Sequence, residues 1–174
     1  NGQGSRQIRF GPGNGDIWDH HFIEYEYDNG VRFYCQARQQ PGTWSHVSDT
    51  VHGTKNVVTL GTGAWGMGDV TPRELRSRAY RGVNPYQQEH EDLADSIADV
   101  GRYRMEADYG ADSSMTAVMG RMATYSGQML TWEQATASEV RLAPERYAFD
   151  ADPPTLPDAT GAYPAAVPGM PGAF

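Results

Sequence analysis

The chain has 174 residues, which fits one domain with a real hydrophobic core, and its formal net charge is -8. This acidic balance argues against a surface for nucleic acid or anionic membranes, because both require clustered cations. The single cysteine, Cys35, excludes an internal disulfide and a thiolate metal cluster, and no apolar run reaches the roughly 20 residues of a membrane span.

Two strands are predicted between Ile17 and Gln40, where aromatic and β-branched residues are frequent. Residues 1–16 before them are rich in Gly and Arg and carry a turn signal, GPGNG, at 11–15. These residues also lack the apolar core of a signal peptide, and any targeting signal would lie upstream. The compartment therefore stays open between cytoplasm and periplasm.

The turn between the two strands allows two hairpin registers. A three-residue loop that ends in a left-handed Gly30 would pair Tyr27 with Val31 and would separate an apolar face from a polar one. A two-residue loop would pair Glu26 with Phe33 and would mix the two faces. We therefore predict the three-residue loop.

In this register one sheet face carries hydrogen-bonding and aromatic side chains. We expect His20, Tyr34, Gln36 and Arg38 to lie on it and to contact a substrate or a partner subunit, since a face of this kind is uncommon on a sheet without a function. Cys35 falls on the opposite, apolar face, where we expect it to be buried and inert.

A second pair of strands is predicted at 48–52 and 56–60, joined by a turn at 53–55. A helix follows at Asn84-Pro85, where Asn84 is the expected N-cap, Pro85 the first helical residue and Gln87 the partner in a capping box. Its apolar stripe consists of Tyr86, Leu93, Ile97 and Val100.

Two more helices are expected. One carries methionines at helical spacing and ends at Gly127, and a short one begins with a capping box of Thr131 and Gln134. Strands followed by helices indicate an α+β fold, with a mostly antiparallel open sheet and helices packed on one face. We assign residues 1–143 to this sheet domain.

Residues 144–174 contain seven of the eleven prolines, which excludes a regular helix or a central strand. We predict an extended Pro-rich tail whose aromatic residues anchor it. Together with the sheet, this tail is expected to join copies of the chain into a homo-oligomer, a dimer in the simplest case. The alternative is a tail that folds back on its own domain.

The segment 61–66 reads GTGAWG, a literal G-x-G-x-x-G after a strand-like segment. A dinucleotide fingerprint needs a helix that begins within the motif and an acidic residue at the end of the next strand. The next helix signal is Thr71-Pro72, which comes too late, so we interpret this segment as a loop.

Asp19-His20-His21 is the densest cluster of titratable groups. On a strand, Asp19 and His21 would point to one face and His20 to the other, so the three could not converge on one metal ion. A metal site would need His46 or His52 as well. We favour surface histidines that are satisfied by cross-strand partners.

Five segments of the chain together resemble the carboxyl-terminal half of the Gfo/Idh/MocA oxidoreductases, in its long-tailed bacterial subgroup. They occur in the family's order and read DIWDHHFIEYEYDNGVRFYCQARQQPGTW, VHGTKN, NPYQQEHEDLADSI, YGADSSMTAVMGRMATYSGQMLTW and LAPERYAFD. The resemblance covers nearly the whole chain.

The resemblance implies a parent enzyme of two domains. An amino-terminal Rossmann domain would bind NAD or NADP, and the α+β domain would hold a sugar-like substrate and build oligomers. The family's Glu-Lys-Pro motif is absent, since Lys55 stands between Thr54 and Asn56, so no catalytic residue is carried over. We expect this chain to be the substrate-binding and oligomerisation portion, without cofactor or metal of its own, as an expressed fragment, a proteolytic remnant or a natural truncation.

The alternative is a stand-alone interaction or carbohydrate-binding module that has lost the Rossmann domain. Sequencing upstream of the Asn1 codon separates the two, because only the first requires a continuous frame encoding a nucleotide-binding strand-turn-helix. The sequence names neither the sugar nor the choice between NAD and NADP.

Overall fold

The computed structural model describes residues 1–60, 84–100, 103 and 105–170. Its contacts divide the chain into two compact units, Asn1–Pro41 with Ala107–Phe174, and Gly42–Glu106. The strands are β1 (Gly2–Ser5), β2 (His20–Glu26), β3 (Arg32–Arg38), β4 (Asp49–His52) and β5 (Val57–Leu60). The helices are α1 (Pro85–Ile97), α2 (Ala107–Ser126) and α3 (Trp132–Thr136).

The first unit contains a three-stranded antiparallel sheet in the order β1-β2-β3. The predicted three-residue hairpin loop is confirmed: the Tyr27 N–H donates to the Val31 carbonyl at 2.9 Å, and Gly30 has φ +79°. A residue with a side chain rarely adopts this φ, which is why glycine ends the loop. The α+β prediction is confirmed for this unit.

Strand β1 was not predicted, because its sequence, GQGS, lacks the β-branched and aromatic residues typical of strands. Its two glycines serve close packing instead. A Cβ at Gly2 would lie 2.7 Å from Thr124 Cγ2, and one at Gly4 would collide with the His20 carbonyl. Small residues therefore let this edge strand fit under α2.

Helix α2 packs on β1 and β2 and so covers one face of the sheet, and α3 packs on α2. The predicted end of α2 and the predicted start of α3 are confirmed. Gly127, with φ +69°, follows the last turn of α2, and the Thr131–Gln134 capping box begins α3.

The core between α2 and the sheet is small, and it is formed by buried residues of β2, α2 and α3 together with Trp18. Ile23, Met122 and Ala123 are all less than one-tenth exposed. Cys35 is only half-buried, so the prediction of a buried cysteine was wrong. It lies on β3, which among the described residues packs on β2 and on no helix.

The described part of the tail contacts its own unit. An Arg6 guanidinium N–H donates to the Tyr163 carbonyl at 2.7 Å, and the Gly169 N–H donates to the Ser126 carbonyl at 2.7 Å. These contacts correspond to the alternative of a tail folded back on its own domain. Tyr147 nevertheless remains exposed.

The second unit contains the antiparallel pair β4-β5 and helix α1. Both strands were predicted, and the Asn84 side chain caps α1 by accepting the Tyr86 N–H. The Gln87 side chain donates to Glu91 at 3.1 Å, which differs from the predicted capping box. The apolar stripe of α1 is exposed, Ile97 by 78%.

Candidate functional site

The face of the three-stranded sheet opposite α2 carries the four side chains predicted to bind a partner or substrate. Cross-strand pairing places His20 opposite Arg38, Phe22 opposite Gln36 and Glu24 opposite Tyr34, so these side chains share one face. Tyr34, Gln36 and Arg38 are exposed and His20 is half-buried. We call this surface the open face.

The Asp19 carboxylate lies beside His20, at one end of the open face. Its Oδ2 accepts the backbone N–H groups of Gln7 at 2.6 Å and Ile8 at 2.7 Å, and its Oδ1 accepts from the Gln40 side-chain amide at 3.0 Å. Burial opposes ionisation, but these hydrogen bonds and one from His20 outweigh it and hold the pKa of Asp19 far below its ordinary value. Asp19 is therefore a buried, fully ionised acceptor.

His20 lies between Asp19 and β1. Its Nδ1 is 2.8 Å from Asp19 Oδ1, and its Nε2 is 3.3 Å from the Ser5 hydroxyl oxygen. Since an ionised carboxylate only accepts, Nδ1 carries the proton in the neutral ring, and Nε2 is left to accept from Ser5. The side chains of Ser5, His20 and Asp19 therefore form a continuous hydrogen-bonded chain.

The expectation that Asp19 and His20 point to opposite faces was wrong. Strand β2 begins at His20, so Asp19 belongs to the preceding loop and is not bound by strand alternation. Its carboxylate accepts hydrogen bonds from the backbone N–H groups of residues 7–9 and also contacts the His20 ring. Ser5 was missed because β1 carries no strand signal in the sequence.

Aromatic side chains continue the open face along β2 and β3. The rings of Phe22 and Tyr34 stack with their centroids 6.2 Å apart, and both are exposed. At the far end of the strands, Arg32 bridges Glu24 at 2.6 Å and Glu26 at 3.2 Å. The face thus offers an aromatic surface between a histidine-containing end and an ion-paired end.

His21 faces the other way and belongs to the core. Its ring stacks with Trp18 and Tyr125, and its Nδ1 is 3.1 Å from the Thr124 hydroxyl oxygen. Burial, together with the nearby His20 and Arg121, lowers the pKa of His21. Of the two adjacent histidines, only His20 can meet a ligand on the open face.

Strand direction and the grouping of possible ligand residues bear on cofactor and metal binding. Each strand pair in the described ranges is antiparallel, whereas a Rossmann-type dinucleotide site is built on a parallel βαβ unit. In the same ranges, no group of three or more His, Cys, Asp or Glu residues could hold a metal ion. The G-x-G-x-x-G segment at 61–66 lies outside the described residues.

No helix among the described residues combines the length and apolar character needed to cross a membrane. Comparison of the chain with models of protein families, with curated proteins and with solved structures finds no match. The resemblance to the Gfo/Idh/MocA oxidoreductases therefore stays a prediction from the five sequence segments.

Proposed function

We propose that residues 1–174 form the substrate-holding and subunit-joining part of an NAD(P)-dependent oxidoreductase that acts on a sugar or a polyol. The cofactor would be bound by a Rossmann domain outside these residues, as the sequence resemblance implies. The observation that carries the proposal is the open face, where a positioned histidine, an arginine and two stacked aromatic rings occupy one sheet surface.

The chemistry of this face suits a polyhydroxylated ligand. Sugar hydroxyls need hydrogen-bonding groups at fixed positions, and Asp19 holds the half-buried His20 ring in one orientation on this face. Gln36 adds a side-chain amide and Arg38 a guanidinium on the neighbouring strand. Phe22 and Tyr34 supply an apolar surface for the C–H side of a sugar ring.

The open face and the tail also support a homo-oligomer. An antiparallel sheet with helices on one side leaves its second face for water or for a partner, and Phe22 and Tyr34 are exposed there. Tyr147 and Phe149 are also exposed in the tail. Light scattering is expected to give a dimer for the intact chain and a smaller mass for a chain that ends at Pro144; a monomer in both cases would contradict this part of the proposal.

The substrate role is tested on the complete gene product, with NAD(P) reduction measured over a panel of sugars and polyols. Arg38→Ala should raise KM about tenfold or more, because it removes a charged donor worth roughly 1.5–3 kcal/mol, and should change kcat little. Arg146→Ala is the matched control, since this exposed arginine pairs with Asp150 in the tail. Equal kinetic constants for the two variants would contradict substrate binding on the open face.

Two further outcomes separate the candidate functions. If no sugar or polyol supports NAD(P) reduction but a sugar still binds the chain, the carbohydrate-binding module replaces the oxidoreductase. The chain alone should show no saturable heat when titrated with NAD or NADP. Micromolar binding that is lost when Gly61 and Gly63 are replaced would instead assign cofactor binding to segment 61–66.

A further inference from the structure

Three side chains at one end of the open face share a geometry that substrate binding does not require. Ser5 and His20 are direct cross-strand partners, and the Ser5 hydroxyl oxygen lies 3.3 Å from His20 Nε2. The other ring nitrogen of His20 is 2.8 Å from Asp19 Oδ1. A hydroxyl, an imidazole and a buried carboxylate in this order are the arrangement by which serine hydrolases activate a nucleophile.

We propose that Ser5 is a nucleophile activated by His20 and Asp19, and that it takes acyl groups from small esters that reach the open face. This activity is independent of hydride transfer and needs neither a metal ion nor NAD(P). It goes beyond the oxidoreductase function proposed above, because Ser5 would react covalently with an ester that no redox step involves.

The supporting structure holds the base in one orientation. The Asp19 side chain is fully buried and is fixed by the backbone N–H groups of Gln7 and Ile8, so the carboxylate cannot turn away from the ring. The His20 side chain is one-third exposed, and Ser5 is exposed on the edge strand. A small substrate can therefore reach the Ser5 hydroxyl while the Asp19 carboxylate stays shielded from solvent.

Ester hydrolysis at this site would need only these side chains and one water molecule. The Ser5 oxygen attacks the ester carbonyl carbon while His20 Nε2 takes the hydroxyl proton, and collapse of the tetrahedral intermediate expels the alcohol, which receives that proton. Water then attacks the acyl-serine, with His20 again as base, and releases the carboxylic acid. Arg38, directly opposite His20 on β3, places a cation on the same face to offset the negative charge of the intermediate.

The first measurement is covalent labelling of the chain with a fluorophosphonate, followed by tryptic mass analysis. Cleavage after Arg6 yields a peptide of residues 1–6 in which Ser5 carries the only hydroxyl group, so the adduct is assigned without ambiguity. We expect the label there and not on Ser113 or Ser114, which are exposed on α2. Equal labelling of all three serines, or no label on residues 1–6, overturns the proposal.

The second measurement separates general-base activation from mere exposure. His20→Ala should slow labelling of Ser5 at least about 100-fold, and added imidazole should restore part of the rate. Ser5→Ala should abolish both the adduct and the hydrolysis of p-nitrophenyl acetate above background. Circular dichroism checks that each variant is folded; a folded His20→Ala protein that labels at the original rate contradicts a role for the histidine.

These outcomes are independent of the oxidoreductase proposal. A complete enzyme that loses ester reactivity in Ser5→Ala but keeps its sugar kinetics supports the nucleophile alone. An enzyme whose Ser5 never reacts with esters, but whose Arg38→Ala variant binds sugar poorly, supports substrate binding alone.

Discussion

The two faces of the three-stranded sheet are built from the same strands but differ in what contacts them. On the covered face, Gly2 and Gly120 leave room for Thr124 and Tyr25, and α2 lies directly against β1 and β2. On the open face, Ser5 is hydrogen-bonded to His20, and His20 is hydrogen-bonded to the buried Asp19 carboxylate. Glycine thus permits close helix packing on one side, while polar side chains at alternate positions are kept available on the other.

The largest expected effect is at the junction of the two faces. Asp19→Asn replaces a buried carboxylate that accepts two short backbone hydrogen bonds with a group that also donates, and should lower the free energy of unfolding by about 3 kcal/mol. Denaturant unfolding measures this change. Asp150→Asn is the control, because that carboxylate is exposed and its pairing with Arg146 is screened by water, so its loss should change the free energy of unfolding little.

The lowered pKa of Asp19 also predicts how the free energy of unfolding changes in acid. Because the folded pKa of Asp19 is lowered, its contribution is present above its unfolded value of about 3.9 and is lost as the pH falls below that value. The stability difference between wild type and Asp19→Asn should therefore shrink in acid. A difference that is constant at all pH values would show that the charge is not what stabilises this junction.

Two glycines in α2 differ in the space that an added methyl group would find. A Cβ at Gly120 would collide with the Tyr25 hydroxyl, which donates to the Thr116 carbonyl at 2.9 Å, whereas a Cβ at Gly110 meets nothing within 4 Å. Gly120→Ala should destabilise by about 1 kcal/mol or more, since overpacking outweighs the gain in helix propensity. Gly110→Ala should stabilise by up to about 1 kcal/mol, and thermal melts of the two variants should move in opposite directions.

The smallest effect concerns His21 on the covered face. Its folded pKa is lowered, so below about pH 6.5 the unfolded state binds more protons and stability falls as the pH is lowered. His21→Gln should flatten this slope in unfolding curves between about pH 7 and about pH 5.5. A slope that persists in His21→Gln would assign it to another group.

Local features of the fold were predictable where one residue type sets a backbone conformation. Gly30 required the three-residue hairpin, and the register then followed from the separation of apolar and polar side chains. Thr131 with Gln134 marked the start of α3 for the same local reason. The placement of His20, Tyr34, Gln36 and Arg38 on one face was a consequence of that register.

The hairpin, the end of α2, the start of α3 and the residues that share a sheet face could be read from the sequence, because each depends on contacts within a few residues or on strand alternation. That GQGS becomes a strand depends on tertiary packing, since α2 and Trp18 approach its glycines closely. Only the tertiary structure decided that Asp19, Ser5 and His20 meet. Their hydrogen bonds join the edge strand, a loop and the second strand, and the position of Asp19 before β2 frees it from the alternation that the sequence pattern assumes.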